Sequence, residues 1–443
     1  MDQTTDAAKS DTPPTPTVSF SEAVRFWTKL GFISFGGPAG QIGIMQTELV
    51  DRLRWIGQAE FLRGLNFAML LPGPEAQQLA AYLGWRMHGL RGAIYAGLAF
   101  IVPGMILILG LAWVAATHGE NKYVAAMFFG IKPIVVAIVL HALWRLGSRT
   151  LRSPMTFGLA AAAFVALHYF GVPFPLVVLS AGVFGALFPA LMPPHSAHGS
   201  PAADANGTAR PQPPAGGSMR RFIKITAVFL VLWIVPVAAI LVTLGLSPWA
   251  GIVQLFTTAA FVTFGGAYAV LPYIANAAVE THGWLTPAQM IDGLALAEST
   301  PGPLILVTVY VGYFAGLVGS GVLSPLAAGL IGGLLTAYVT FLPCFWFILA
   351  AAPFVDRIQE QPKAHAALSA ITAAVVGVVL NLAVFFGEAV FLEKDAGGGV
   401  TGVDPLSIGL ALFALLALVK FKVTVPPLIA AGAVFGLTYV SFV

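Results

Sequence analysis

Apolar residues run along this chain in stretches long enough to cross a bilayer, separated by short polar loops. Leu90–Ala116, Tyr123–Trp144, Phe222–Leu244, Trp249–Ile274, Val322–Ala352 and Ala364–Phe386 each carry at most one Lys or Arg and no acid. Stretches of about 18 or more such residues read as spanning helices, because lipid offers no partner to an unpaired backbone group. The pattern predicts an all-α polytopic membrane protein with about ten to thirteen hydrophobic segments.

The same pattern repeats. Phe32-Ile33-Ser34-Phe35-Gly36-Gly37 matches Phe261-Val262-Thr263-Phe264-Gly265-Gly266 at an offset of 229 residues. Without a gap, that offset carries Trp55 onto Trp284, Gly64-Leu65 onto Gly293-Leu294, and Pro72-Gly73-Pro74 onto Pro301-Gly302-Pro303. The match continues with insertions. Val136–His141 faces Val376–Asn381 at offset 240, and Val183-Phe184-Gly185 faces Val434-Phe435-Gly436 at offset 251. Self-similarity on this scale marks an internal duplication.

Five regions follow. Residues 1–18 are polar, with Asp2, Asp6, Lys9, Asp11 and no apolar core of a signal peptide, and predict a disordered cytoplasmic tail. Residues 19–192 form the first repeat. Residues 193–221, rich in Pro, Ala, Gly and Ser, predict a flexible cytoplasmic linker. Residues 222–246 hold an extra transmembrane helix without a counterpart, and 247–443 form the second repeat. One added crossing between halves of even crossing number inverts the second half. The basic loops agree: Arg86/Arg91, Arg145/Arg149/Arg152 and Arg220/Arg221 in the first part, Arg357/Lys363 and Lys420/Lys422 in the second. They fall one crossing later in the second half. Two inverted-topology repeats are expected.

Composition narrows the function. Mean hydropathy is +0.86, 58% of residues are hydrophobic and 9% charged, too few charges to cover a soluble protein of this size. The net charge of +3, scattered among loops, argues against nucleic acid. One cysteine, Cys344, excludes a disulfide frame and a cysteine metal site. No His-Glu ligand pair, Gly-x-Ser-x-Gly or Walker loop occurs, so neither an enzyme, a metal centre, a cofactor nor ATP-driven pumping is expected.

Candidate chemistry lies where apolar segments are interrupted at matching places in both halves. Phe61–Leu83 is broken by Pro72-Gly73-Pro74, and Gln289–Gly312 by Pro301-Gly302-Pro303. Proline removes a backbone donor and glycine permits open backbone, so each restarting helix presents its N–H groups and positive dipole end at mid-depth. Such ends bind anions. Gly36-Gly37, followed by Pro38, and Gly265-Gly266 break the preceding segments in the same way. The alternative is ordinary kinks and small-residue packing. Glu75, Gln77 and Gln78 follow the first Pro-Gly-Pro, and Glu298, Ser299 and Thr300 precede the second. Intramembrane carboxylates suit proton carrying, although Glu75 equally suits its own helix's first turn. Lys132 sits about 13 Å into an apolar helix, at 1.5 Å per residue, as a countercharge for an anion or the partner of an acid. Gln41, Asn66 and Tyr268 are further polar candidates.

Phe35-Gly36-Gly37-Pro38, Leu71-Pro72-Gly73-Pro74-Glu75-Ala76-Gln77-Gln78, Phe264-Gly265-Gly266-Ala267-Tyr268 and Thr300-Pro301-Gly302-Pro303 together resemble the chromate ion transporter family in its long two-domain form. The resemblance covers nearly the whole chain. It implies an inner-membrane protein that exports chromate from the cytoplasm and confers chromate resistance, with sulfate as isosteric competitor. It also implies coupling to the proton-motive force or to counter-ion exchange. The second half has Leu304-Ile305-Leu306-Val307 where the first has Glu-Ala-Gln-Gln, so polar contacts are expected chiefly from the first half. A carrier for sulfate or another oxyanion, and an anion channel on the same frame, are the rival readings. Membrane lipid is the expected surroundings, and self-association into a homo-oligomer stays open.

Overall fold

The computed structural model describes residues 18–193, 219–319, 321, 323–355, 361–394 and 399–442. The tail expected over 1–18 and the linker expected over 193–221 lie, apart from their edges, outside the described residues, as does Arg357.

The chain is helical almost throughout. The first half contains α1 (Phe20–Ile33), α2 (Gly37–Gln46), α3 (Gln58–Leu70), α4 (Glu75–His118), α5 (Lys122–Thr150), α6 (Pro154–His168) and α7 (Phe174–Leu187). Next comes α8 (Met219–Leu244), which starts three residues earlier than the sequence suggests. The second half contains α9 (Trp249–Val262), α10 (Ala267–Asn276), α11 (Pro287–Ser299), α12 (Val307–Val318), α13 (Pro325–Ala351), α14 (Pro362–Phe391), α15 (Pro405–Val419) and α16 (Val425–Phe442). A short antiparallel hairpin, β1 (Leu392–Lys394) with β2 (Val400–Val403), joins α14 to α15. Among the described residues, six helical segments are long and apolar enough to cross a membrane, and several shorter apolar helices lie between them. The chain is a multi-pass membrane protein.

Local chemistry sets the ends. Ser19 caps α1 by accepting from the Glu22 amide, and Glu22 accepts from the Ser19 amide in return. Thr286 and Gln289 do the same for α11, with Pro287 at its first position, where the missing N–H costs nothing. α4 folds back at His88-Gly89, where Gly89 takes φ 63°. Its two limbs correspond to α12 and α13.

The duplication is visible element by element. α1 and α9 begin 229 residues apart, as do α3 and α11. α5 and α14 begin 240 apart, and α6/α15 and α7/α16 begin 251 apart. The halves exchange arms: α5 packs on α15 and α16, while α14 packs on α6 and α7. The closest approaches are reciprocal too. Gly185 of α7 lies against the Ala366 carbonyl of α14, and its equivalent Gly436 of α16 lies against the Ala126 carbonyl of α5. Residue i meeting j′ while j meets i′ is the signature of a two-fold relation. No side chain beyond hydrogen fits at either glycine, so the backbones meet directly, as small-residue membrane contacts do. One large apolar core runs through both halves, and a second joins α1, α3 and the first limb of α4 to the end of α13. α8 stands apart, burying only Val237.

Candidate functional site

Four interrupted helices converge from the two halves. α1 ends at Ser34, and α2 restarts after Gly36 (φ 89°) with Gly37 (φ 68°) and Pro38 in its first turn. α9 ends at Thr263, and α10 restarts after Gly265 (φ 76°) and Gly266 (φ 97°). α3 stops before Pro72-Gly73-Pro74, with Gly73 at φ 124° and Pro74 capping α4. α11 stops before Pro301-Gly302-Pro303, with Gly302 at φ 99°, and a short 3-10 turn, Leu304–Leu306, leads into α12.

The breaks are tied crosswise. The Gly73 amide donates to the Thr263 carbonyl at 2.7 Å, and the Gly302 amide donates to the Ser34 carbonyl at 2.9 Å. The Ser34 hydroxyl donates to Leu30 O at 2.6 Å and that of Thr263 to Ala259 O at 2.5 Å, each closing the last turn of its own helix. The two central amides are therefore engaged rather than bare. First-turn amides of α2 and α4 lack an intrahelical acceptor, whereas in the first turn of α10 the Ala269 amide donates to the Gly266 carbonyl at 3.1 Å.

Glycine is required at both centres. A Cβ on Gly73 would sit 2.7 Å from Gln78 Nε2 and 2.9 Å from Cys344 Sγ, and one on Gly302 would sit 3.0 Å from Leu306 Cδ1 and 3.2 Å from the Phe100 carbonyl. Positive φ adds strain for any L side chain.

Three buried amides cluster on the first-half side. Gln41 bridges the halves, with Nε2 donating to Ser34 O at 3.1 Å and to Gly302 O at 2.6 Å. Gln78 Nε2 donates to Pro72 O at 2.6 Å and holds the first break. Among the described residues, Gln77, fully buried in the first turn of α4, has no partner for either amide atom, and Gln41 Oε1 and Gln78 Oε1 are also unpaired. Burying a polar group unpaired costs about 1–3 kcal/mol, which makes Gln77 Nε2 a candidate donor to a ligand. The equivalents of Gln41 and Gln78 are Val270 and Val307, which makes the site asymmetric. Glu75 lies half-buried in the first turn of α4, without a side-chain hydrogen bond among the described residues.

The second-half side carries the charge. Glu298, in the last turn of α11, is buried and accepts a hydrogen bond from the Tyr268 hydroxyl, on the turn that restarts α10. Ser299 and Thr300 turn back onto Leu296 O and Ala297 O and only finish their helix. Lys132 Nζ lies 3.7 Å from Asp292 Oδ1, so it is paired with an acid. Asn66 carries no such contact among the described residues.

Two residues of this region escaped the sequence reading. Asp292 lies in the middle of α11, an acid in an apolar run, and the criterion that selected Glu298 could have found it. Arg145 reads as a loop residue in sequence, yet α5 extends to Thr150 and carries it as a half-buried helical residue. Its guanidinium lies within electrostatic reach of Glu298 and Tyr268 and makes no ion pair among the described residues. No cluster of His, Cys, Asp and Glu able to hold a metal occurs among the described residues.

The arrangement suits an anion. It combines first-turn amides, the positive ends of helix dipoles, a free amide donor and a guanidinium without a carboxylate on it. The sequence pattern of the chromate transporter family matches residues 21–186 and again 250–437. The chain is 30% identical over 421 residues to a chromate transport protein of Pseudomonas aeruginosa, covering 93% of this chain and 88% of the relative. It is 29% identical over 419 residues to one of Cupriavidus metallidurans, covering 94% and 92%. A probable chromate transport protein of Synechococcus elongatus is 26% identical over 379 residues, covering 84% and 86%. No solved structure matches the chain.

Proposed function

The chain belongs to the chromate transporter family, and on that premise we propose that it is a secondary carrier that exports chromate across the cytoplasmic membrane and thereby confers resistance. The observation that carries the reading is the crosswise pair of hydrogen bonds, Gly73 to Thr263 and Gly302 to Ser34. It gathers the restarting helices of both halves around one level of the molecule. A tetrahedral dianion there accepts from first-turn amides of α2 and α4 and from Gln77 Nε2, with Arg145 balancing its charge.

The halves are read as inverted in the bilayer. The unpaired crossing α8 and the one-crossing displacement of the basic loops both favour that orientation. Inverted repeats meeting at broken helices support alternating access by rocking one half against the other. The two crosswise bonds and the Gln41 bridge then form the seam that must rearrange. Glu298, buried and bonded to Tyr268, supplies a protonatable group beside the anion. Taking up a proton on the outside as the anion leaves and releasing it on the inside as the next anion loads, it would exchange inward protons for outward anion and so couple export to the proton gradient.

The test is uptake of labelled chromate into inverted membrane vesicles, with sulfate as competitor and with an uncoupler. Saturable accumulation that collapses with the uncoupler supports the proton-coupled carrier. Equal preference for sulfate broadens the substrate to oxyanions generally. Flux that follows voltage alone, without saturation, identifies a channel, and absence of accumulation overturns export.

A further inference from the structure

α8 is held loosely. Among the described residues, its side-chain hydrogen bonds to the body are those in which the Tyr338 hydroxyl donates to Leu232 O and Trp346 Nε1 donates to Thr226 Oγ1 at 3.1 Å. Between α8, α13 and the second limb of α4 lies a cavity of about 540 Å³. Its walls are apolar, with Ile94 and Leu98 from α4, Ile225 and Phe229 from α8, and Phe341 and Phe345 from α13. On α13 the lining runs from Leu334 to Leu349, about 22 Å at 1.5 Å per residue. That exceeds the half-thickness of a bilayer's hydrocarbon core, about 15 Å.

The two ends of this groove differ. Residues Ile94, Ile225 and Leu349 line one end, close to the Phe222–Phe354 ring contact, with centroids 6.4 Å apart. Arg91, Arg220, Arg221 and Lys224 all lie within a turn or so of that end, exposed and without an ion pair among the described residues. Arg221 precedes Ile225 by four residues and so shares the groove face of α8. Its guanidinium rests 5.9 Å above the Trp85 ring, which fixes it at the mouth. The far end, near Met105 and Leu334, has no charged residue in its lining among the described residues.

We propose that this groove is a binding site for an anionic phospholipid, one acyl chain lying between α4, α8 and α13 and the phosphate headgroup held by Arg221 with Arg91, Arg220 and Lys224. The apolar wall selects a hydrocarbon chain and the cation cluster selects a negative headgroup. A zwitterionic lipid satisfies the first and not the second. The Phe345 ring that lines the groove also touches Gly97, beside Gln77 Nε2, so the lipid lies one side chain from the first helix break.

The test uses the full chain purified in a mild detergent, washed free of loosely held lipid, and needs no transport measurement. Bound lipid is identified by mass spectrometry, and melting is followed with added phosphatidylglycerol or phosphatidylcholine. We expect retained phosphatidylglycerol and a melting temperature raised by it more than by phosphatidylcholine. With each cation worth about fivefold in affinity, Arg220→Gln/Arg221→Gln/Lys224→Gln weakens phosphatidylglycerol binding roughly a hundredfold and removes the headgroup preference. Leu98→Trp and Leu334→Trp, at half-exposed groove walls, displace the chain while the circular-dichroism spectrum stays that of the parent. Equal stabilisation by the two lipids overturns the proposal. So does unchanged retention in both tryptophan variants, and so does a groove occupied by a second copy, seen as a dimer that Leu98→Trp dissociates.

Discussion

Gly73 and Thr263 belong to different halves of the chain, yet the amide of one donates to the carbonyl of the other at 2.7 Å, and 229 residues later Gly302 repeats the bond to Ser34 at 2.9 Å. Each broken helix is thus anchored on the break of the opposite half. A main-chain bond between breaks cannot be replaced by a change of side chain, but it can be destroyed by one. That makes the glycines the most direct handle on the proposed site.

Gly73→Leu and Gly302→Leu are expected to abolish chromate transport while both proteins still insert. The side chain has no space, and the backbone angle costs about 1–2 kcal/mol for an L residue before any clash. Vesicle uptake normalised to membrane-embedded protein checks this. Wild-type rates in both variants would remove the basis for the site.

Gln77→Leu separates binding from stability. The amide has no partner to lose, so leucine relieves an unpaired polar group and the melting temperature should hold or rise. A hydrogen bond to a charged ligand is worth about 1.5–3 kcal/mol, which predicts a KM for chromate raised roughly tenfold to a hundredfold. A drop in melting temperature with unchanged KM would show a structural amide instead.

Arg145→Gln should raise KM without altering membrane insertion, because among the described residues the guanidinium makes no ion pair that the fold depends on. Arg145→Lys keeps the charge but not the planar fork, so partial recovery is expected. Concentration dependence of uptake for the three proteins distinguishes the outcomes.

Glu298→Gln keeps an acceptor for Tyr268 and removes the exchangeable proton. Transport by this variant is expected to lose its response to an imposed pH gradient, while Tyr268→Phe retains that response at reduced rate. Measuring uptake with and without an uncoupler decides it, since a Glu298→Gln protein that still concentrates chromate against a pH gradient assigns coupling elsewhere.

Asp292→Asn alone strands Lys132, and removing one partner of a partly buried pair costs up to about 3–5 kcal/mol. Pairing it with Lys132→Met should recover most of the loss in melting temperature. If the double variant also transports normally, Lys132 and Asp292 serve the fold alone.

Much of this was written in the linear pattern. Hydropathy dictates spanning helices because lipid leaves a backbone nowhere else to hydrogen-bond. Pro72-Gly73-Pro74 and Pro301-Gly302-Pro303 dictate where helices stop, because proline has no amide and glycine alone accepts the angles required. The shared offset of 229 fixes which positions are equivalent. Tertiary structure alone decided who meets whom. Equivalence within a duplicated sequence does not say that Gly73 reaches Thr263, that α5 packs on the other half's last two helices, or that Lys132 finds Asp292. Those pairings depend on how the two copies are rotated onto each other, a rigid-body choice with no local signature. Arg145 illustrates the same limit: composition places it at a helix end, and only the packing of α5 against α11 brings it near Glu298.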